Sequence, residues 1–281
     1  MNDGAVLLAS YPKSGNTWIR AFLTALWRDG RDVDINNLLI ANASSREILD
    51  SLVGMPSADF SAREIADLRP HIYGYATRES SVEGRVYLKM HDAYMRPSES
   101  LPIPICREHI DRVLYVVRDP RAVALSLARH LRIAVDDAIR VMADCTYQLS
   151  SYPRRVGRQV AQFLSSWSIH VESWIEAPGV PIFLIRYEDL VTDPEASFKS
   201  ILQFLGEETS IETFHTALEG SQFKLLQEKE RQQGFSEKPA GEHRFFHGGM
   251  PQSWQSELTP AQVTSIVQTH GRVMKRLNYS V

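Results

Sequence analysis

The sequence is poor in cysteine, in long apolar runs and in net charge. Its 281 residues include two cysteines, Cys106 and Cys145, which argues against a disulfide framework and a cysteine-based zinc site. No apolar run is long enough to span a bilayer, and the N-terminus lacks the basic region and apolar length of a signal peptide. The formal net charge of −3 does not favour nucleic acid or a membrane surface as a partner. We therefore expect a soluble, cytoplasmic protein in which any anion site is local. Since no carboxylate cluster suggests a metal site, we also expect a metal-independent activity.

Short apolar segments alternate with helical patterns along the chain. Strands are predicted at 5–9, 85–90, 112–117 and 181–187. Helices are predicted at 17–28, 45–53, 120–129, 136–143, 160–176, 194–205, 210–218 and 260–277. This alternation predicts an α/β fold with a doubly wound, mainly parallel sheet flanked by helices, in which ligands bind at the carboxyl ends of the strands. We expect a single domain over residues 1–281, with insertions at about 29–84 and 129–158 that shape a substrate pocket.

A polar loop follows the first predicted strand. It runs from Tyr11-Pro12 through Lys13, Ser14, Gly15, Asn16 and Thr17 to Trp18, where a helical pattern begins. A strand, a tight loop and a helix N-terminus aim backbone N–H groups at an anion, so the loop predicts a cradle for phosphate or a similar group. It is not a Walker A loop, because Lys13 comes first and no second glycine precedes it. The alternative is an ordinary helix capped by Ser14 or Asn16.

Two other predicted strands also end in residues suited to anion chemistry. Arg118 ends the third strand, Pro120 opens a helix, and Ser126 lies about two turns into it. An arginine fork and a hydroxyl can converge there on one phosphate, and the alternative is a surface pair of Arg118 with Asp119. The second strand ends in Lys89 and His91, whose spacing predicts that both point to the same side. A cation beside an imidazole suits group transfer with a histidine base, and the alternative is a structural histidine.

One string, YPKSGNTW at residues 11–18, resembles the 5′-phosphosulfate loop of the sulfotransferases that use 3′-phosphoadenosine 5′-phosphosulfate (PAPS). Arg118, Pro120 and Ser126 resemble the 3′-phosphate motif of the same family, and Lys89 with His91 resembles its catalytic Lys-x-His. The resemblance implies a P-loop-like sulfotransferase fold. It implies that the loop residues bind the donor, namely Lys13, Ser14, Gly15, Asn16, Thr17 and Trp18.

Further parts of the chain resemble the family less closely. By resemblance, Tyr187 and Trp18 contact the adenine, and Ser221 and Phe223 also meet the nucleotide. The family's Arg-Lys-Gly loop aligns with His247, Gly248 and Gly249, of which Gly249 alone matches. The two departures remove fixed charge, so the 3′-phosphate would rest on backbone N–H groups, with Arg244 or His247 as the cation. The residues at the family's dimer motif do not match, which leaves the oligomeric state open, with a homodimer as one alternative.

The resemblance implies a PAPS-dependent sulfotransferase that acts on a hydroxyl, alcohol or phenol, of a small-molecule acceptor. His91 would remove the acceptor proton through one of its ring nitrogens, Lys13 would stabilise the leaving group, and Lys89 would bind a sulfuryl oxygen. Two alternatives of other classes are a P-loop nucleotide kinase and a non-catalytic nucleotide-binding protein on the same fold. The identity of the acceptor does not follow from the sequence.

Overall fold

The computed structural model describes residues 4–30, 33–79, 85–151, 156–238, 244–246 and 251–281, with the backbone alone for 72–79. The strands are β1 Ala5–Ser10, β2 Ala41–Asn42, β3 Tyr87–Met90, β4 Ile110–Val117, β5 Gln148–Leu149, β6 Gln162–Phe163 and β7 Ile182–Arg186. The helices are α1 Asn16–Leu26, α2 Arg46–Val53, α3 Ala62–Glu79, α4 Pro120–Leu131, α5 Val135–Ala143, α6 Trp167–Ile175, α7 Tyr187–Thr192, α8 Pro194–Leu205, α9 Ile211–Gly220, α10 Phe223–Gln233, α11 Trp254–Glu257 and α12 Pro260–Arg276. None of the described helices is long and apolar enough to cross a membrane.

Five strands form one sheet in the order β2-β3-β1-β4-β7. β3 pairs in parallel with both β1 and β2, and the β1 register brings Ala9 beside Met90. Every residue of β1 is buried, as expected for a strand covered on both faces. The α/β class with a mainly parallel sheet and flanking helices, predicted from the alternation of patterns, is confirmed. The four predicted strands correspond to β1, β3, β4 and β7.

The chain divides into two compact units. The first consists of Met1–Tyr11, Ala41–Tyr115 and Ala143–Leu184, and the second of Pro12–Ile40, Val116–Met142 and Ile185–Val281. In the first unit, Leu49 of α2 and Val160 form an apolar cluster with Ile65 and Leu68 of α3. In the second unit, Phe22 of α1 stacks on Phe198 of α8 with a ring separation of 4.0 Å. That residues 1–281 act as one domain stays a prediction.

Several segments differ from what the local patterns predict, among them α10, over which no helix was predicted. The helix predicted at 160–176 begins at Trp167, because Gln162–Phe163 forms β6 and the Ser166 side chain caps α6 by accepting from Ile169 N. The insertion at 29–84, whose periodicity is weak, contains the long helix α3 despite Pro70 within it. Tyr187, predicted as the last residue of a strand, is the first residue of α7.

Candidate functional site

The loop after β1 opens α1 without a side-chain cap. Gly15 is the N-cap residue and has a φ of 106°, while Lys13 also has a positive φ of 70°. The alternative interpretation, a helix capped by Ser14 or Asn16, does not hold because no side chain accepts a hydrogen bond at this N-terminus. The N-cap residue itself therefore offers no acceptor to the first N–H groups of α1, and the helix dipole adds positive potential there.

The ring of Tyr187 covers Gly15. An ideal Cβ atom on Gly15 would lie 2.6 Å from Cδ2 of Tyr187, which is too close unless the Tyr187 ring moves. The rings of Trp18 and Tyr187 meet edge to face with centroids 6.2 Å apart. The two residues that the resemblance assigns to the adenine are therefore neighbours in the second unit. Burial raises the pKa of Tyr187, so its hydroxyl stays protonated near neutral pH.

Arg118 lies beside the same loop. Its Nη1 donates to the carbonyl oxygen of Lys13 at 3.2 Å, and its guanidinium lies over the Tyr187 ring at 4.4 Å. The predicted alternative, a pair of Arg118 with Asp119, is not formed, because Asp119 caps α4 and holds the guanidinium of Arg121 at 2.7 Å. Within the described residues Arg118 has no ion pair, so its positive charge has no carboxylate partner there.

Three buried donors around the loop have no hydrogen-bond partner in the described part of the chain: Ser14 Oγ, Trp18 Nε1 and Arg118 Nε. A buried donor that makes no hydrogen bond costs about 1–3 kcal/mol, so a fold normally satisfies such atoms or uses them for a ligand. All three belong to the second unit. Donors and an uncompensated cation, gathered at a helix N-terminus, fit an anionic ligand and do not fit a cationic one.

Lys13 contacts an aromatic residue from the C-terminal part of the chain. Its Nζ lies 3.8 Å from the ring centroid of Phe245. The N–H groups of Phe245 and Phe246 donate to the carboxylate of Glu230 on α10, at 2.5 and 3.0 Å. Glu230 thus fixes the backbone that presents the Phe245 ring to Lys13.

The remaining residues that the resemblance assigns to the nucleotide differ in burial and in their contacts. Ser126 is half-buried in α4, among residues that are otherwise buried from Pro120 to Ala128. Ser221 is fully buried and its hydroxyl donates to the Leu218 carbonyl at 3.2 Å. Phe223 begins α10 and its ring lies 6.0 Å from that of Phe246. His247, Gly248 and Gly249 lie outside the described residues.

The predicted catalytic residues Lys89 and His91 belong to the first unit. Lys89 is a buried residue of β3, which ends at Met90, and His91 follows directly. Nδ1 of His91 lies 2.8 Å from the carbonyl oxygen of Ser10, the last residue of β1. Because a carbonyl oxygen only accepts, Nδ1 carries the hydrogen and donates. In the neutral ring the lone pair is therefore on Nε2, which the sequence could not decide.

Sequence reasoning missed a set of residues on α6 that bind the backbone after β3. His170 Nε2 lies 3.0 Å from the His91 carbonyl oxygen, and Trp174 Nε1 donates to the Asp92 carbonyl at 2.9 Å. Ser173 Oγ accepts from the N–H of Tyr94 at 2.9 Å. A histidine on the buried face of a predicted helix was a usable signal, because buried polar residues need partners.

A second missed feature is a buried ion pair next to His91. Arg69 of α3 donates from Nη1 and Nη2 to the two carboxylate oxygens of Asp92 at 2.8 and 2.6 Å. Asp92 is fully buried and its Oδ1 also accepts from the N–H of Phe163 at 2.9 Å. Arg69 and the Phe163 N–H therefore hold the side chain of Asp92, and Trp174 holds its carbonyl.

The first unit also contains a cavity of about 940 Å³. Its lining comes largely from the two predicted insertions, with Arg46, Phe60 and Ile65 from the first and Gln148 and Val156 from the second. The Arg69–Asp92 pair and Phe163 also line it, so apolar surface and charged groups are mixed. A cavity of this size and character suits an amphipathic small molecule.

No group of three or more His, Cys, Asp or Glu side chains in the described ranges is arranged to hold a metal ion. Cys106 is half-buried and Cys145 is exposed, and both are free thiols.

Comparison with known proteins identifies a family. The profile of the sulfotransferase domain matches residues 3–278. Sulfotransferase 1A1 of Bos taurus is 26% identical over 263 residues, which is 92% of this chain and 79% of the relative.

Solved structures agree with the profile at the level of the fold. A retinol dehydratase in complex with androsterone and the inactive cofactor PAP has a TM-score of 0.65 at 17% identity, covering 100% of this chain and 83% of the other. Mouse sulfotransferase SULT7A1 complexed with PAP has a TM-score of 0.61 at 17% identity, covering 100% and 87%.

Proposed function

The chain belongs to the sulfotransferase family, and on that premise we propose that it moves a sulfuryl group from PAPS to a hydroxyl of a small-molecule acceptor. The observation that carries the proposal is a group of buried donors, Ser14 Oγ, Trp18 Nε1 and Arg118 Nε, that have no hydrogen-bond partner among the described residues. Arg118 also has no ion pair there. The two structural relatives were solved with PAP, the nucleotide that PAPS leaves behind. We propose that the present chain binds the same class of nucleotide.

We assign donor binding to residues of the second unit. Lys13, Ser14, Gly15, Asn16 and Thr17 would hold the 5′ end through side chains and the N–H groups of α1. Arg118 and Ser126 would hold the 3′-phosphate, and Trp18 with Tyr187 would pack on the adenine. We keep Ser221, Phe223, His247, Gly248 and Gly249 as further proposed contacts. The edge-to-face contact of Trp18 with Tyr187 supports the adenine assignment.

The donor, when bound, supplies an activated sulfuryl group next to Lys13. We propose that Lys13 and the N–H groups at the start of α1 stabilise the negative charge that grows on the leaving oxygen. Lys89 would bind a sulfuryl oxygen. Positioning and charge stabilisation then account for the catalysis, as in phosphoryl transfer.

We propose His91 as the general base, acting through Nε2. Its Nδ1–H donates to the Ser10 carbonyl, which orients the ring and leaves the lone pair on Nε2. Nε2 would accept the hydroxyl proton as the acceptor oxygen attacks sulfur. The Ser10 carbonyl thus has the orienting role that the carboxylate has for the histidine of a hydrolase triad, without an added negative charge.

The cavity of the first unit is our proposed acceptor site. Phe60, Phe163 and Ile65 would cover an apolar body, and Arg46 offers a guanidinium that lies in no ion pair among the described residues. Arg46 already donates to the Gly157 carbonyl and to Ser57, which holds it in place at the cavity wall. The lining supports an amphipathic alcohol or phenol.

Three coarser expectations stay part of the proposal. Residues 1–281 would act as one domain, the reaction would need no metal, and the location would be the cytoplasm, for which the support is the low cysteine content. Neither nucleic acid nor a membrane is a proposed partner, in line with the small net charge.

Thermal shifts with PAP, AMP and ATP test the donor. A ligand at a hundred times its Kd stabilises by roughly 2.7 kcal/mol, so PAP should raise Tm far more than AMP at equal concentration. Arg118→Gln should reduce the shift that PAP gives, and Arg140→Gln is its matched control, because Arg140 is an exposed arginine of α5. Equal shifts for PAP and AMP would contradict the proposal.

A screen with ³⁵S-labelled donor against alcohols, phenols and amines tests the transfer itself. Labelled product from a hydroxyl acceptor is the expected result. Clear PAP binding without transfer to any acceptor would instead favour a non-catalytic nucleotide-binding protein.

A further inference from the structure

Three residues on one face of α6 bind three backbone groups of the segment 91–94. They lie at positions i, i+3 and i+4, which share a helix face. His170 reaches the carbonyl of His91, Trp174 that of Asp92, and Ser173 the N–H of Tyr94. Their backbone targets belong to the segment that carries the proposed base.

A neutral His170 can make its hydrogen bond to the His91 carbonyl in one tautomer only. The His91 oxygen is a carbonyl, so His170 Nε2 carries a hydrogen and donates. In the neutral ring Nδ1 is then an acceptor, and the hydroxyl of Tyr115 donates to it at 2.8 Å. The Tyr11 ring meets the His170 ring edge to face at 5.3 Å, and Ser173 Oγ donates to the His170 carbonyl. His170 is fully buried and cannot turn without breaking these contacts.

The proposed base is therefore held at two points. Its ring is held by Ser10, which the β1–β3 register brings alongside, and its carbonyl is held by His170. A base that shifts by about 1 Å loses about 10²-fold in rate, so the second point of attachment has a kinetic consequence.

We propose that His170 is a positioning residue for sulfuryl transfer, which fixes the His91 backbone so that Nδ1 stays on Ser10 and Nε2 faces the acceptor. The inference rests on the proposed function, in which His91 is the base. His170 itself touches neither substrate nor donor in this role.

His170 does not exchange protons during the reaction. Burial lowers its pKa to about 4, so the ring stays neutral near pH 7. The titratable groups around it are His91, Tyr11, Tyr115 and Asp92. The two tyrosines have pKa values raised by burial, and Asp92 is paired with Arg69.

Two substitutions separate the bond to His91 from the volume of the ring. In His170→Gln the amide nitrogen reaches about as far as Nε2 and can donate to the His91 carbonyl. In His170→Asn the shorter amide lies near Nδ1 and can meet Tyr115 only. We expect His170→Asn to lower kcat about 10²-fold with less than a twofold change in the donor KM, and His170→Gln to recover most of the loss.

A readout independent of activity keeps the test separate from the proposed function. In ¹⁵N-histidine NMR spectra the wild-type His91 ring should show protonated Nδ1, and His170→Asn should show a mixture of the two neutral forms. If the wild type transferred no sulfuryl group, the proposed function would fail while this spectrum still tested the positioning of His91.

Two outcomes would overturn the proposal. One is a His170→Asn enzyme with a lower Tm but with kcat and the His91 spectrum unchanged, since the role would then be structural. The other is an equal loss of kcat in the Gln and Asn variants.

If neither variant folds, Tyr115→Phe provides a further test, because it removes only the hydroxyl that orients His170. We expect a severalfold fall in its kcat, and an unchanged kcat there would refute the proposal.

Discussion

Cδ2 of Tyr187 lies only 2.6 Å from the position that an ideal Cβ atom of residue 15 would take. Gly15→Ala should therefore displace the Tyr187 ring in addition to straining a residue with a φ of 106°. We expect the variant to lose most of the Tm increase that PAP gives. Gly54→Ala is the matched control, because Gly54 also has a positive φ but nothing within 4 Å of its Cβ position. Both variants should lose roughly 1 kcal/mol to backbone strain, and a normal PAP shift in Gly15→Ala would contradict the close packing.

Arg118→Gln should affect binding without much effect on folding. Since Arg118 has no ion pair in the described part of the chain, its removal leaves no carboxylate stranded, and we expect the stability without ligand to change by less than about 1 kcal/mol. A charged hydrogen bond to phosphate contributes about 1.5–3 kcal/mol, so the Kd for PAP should rise roughly 10- to 100-fold. Isothermal titration with PAP measures this, and a Kd unchanged from wild type would refute the assignment.

Arg69→Gln should lower the stability of the fold much more than Arg118→Gln does. It removes the partner of Asp92, a fully buried carboxylate, and breaking such a pair costs about 3–5 kcal/mol. Urea unfolding measures the loss. Arg63→Gln is the control, since the Arg63–Asp67 pair is exposed and should contribute no more than about 1 kcal/mol. Equal losses in the two variants would show that burial of the Asp92 pair has no energetic consequence.

His91→Ala should lower kcat by about 10²–10⁴-fold and leave the affinity for PAP near the wild-type value, because the residue removes a proton and does not bind the donor. Steady-state kinetics with the acceptor found in the screen checks this. His71→Ala, at an exposed histidine of α3, should retain full activity. Unchanged turnover in His91→Ala would eliminate His91 as the base.

Acid should destabilise the protein through two buried histidines. Burial lowers the pKa values of His170 and His270 to about 4, below the value near 6.5 of an unfolded chain. Between these values the unfolded state binds more protons, so the contribution is fully present above pH 6.5 and is lost as pH falls to 4, by about 3 kcal/mol per histidine. Urea unfolding of wild type and His270→Gln from pH 7 to 4.5 should give a shallower decline for the variant. Identical declines would contradict the shift at His270.

The elements with strong local signals were predictable, and those that depend on tertiary partners were not. β1, β4 and α12 follow from apolar patterns and from signals such as the Thr259-Pro260 helix start, which forms a capping box in the structure. α3 carries a proline and weak periodicity, so the sequence alone did not indicate it. β2 and β6 are two residues long, and their conformation depends on neighbours distant in sequence.

The candidate site was predictable where a motif is contiguous. The loop around Gly15 and the Arg118 segment could be identified from residue order. The role of Asp119 could not, because its choice of Arg121 over Arg118 depends on how α4 begins. The ring form of His91 and the bond of His170 to His91 depend on contacts between residues about 80 positions apart in the sequence, which no local pattern encodes.

The contacts from α6 reach main-chain atoms of residues 91–94, which every amino acid except proline possesses in full. The helix therefore holds the position of this segment without regard to the side chain at residue 91. A carboxylate introduced there would be presented from the same place as the imidazole. In this architecture, the reactive group could be exchanged during divergence of a lineage while the scaffold that aims it stayed the same.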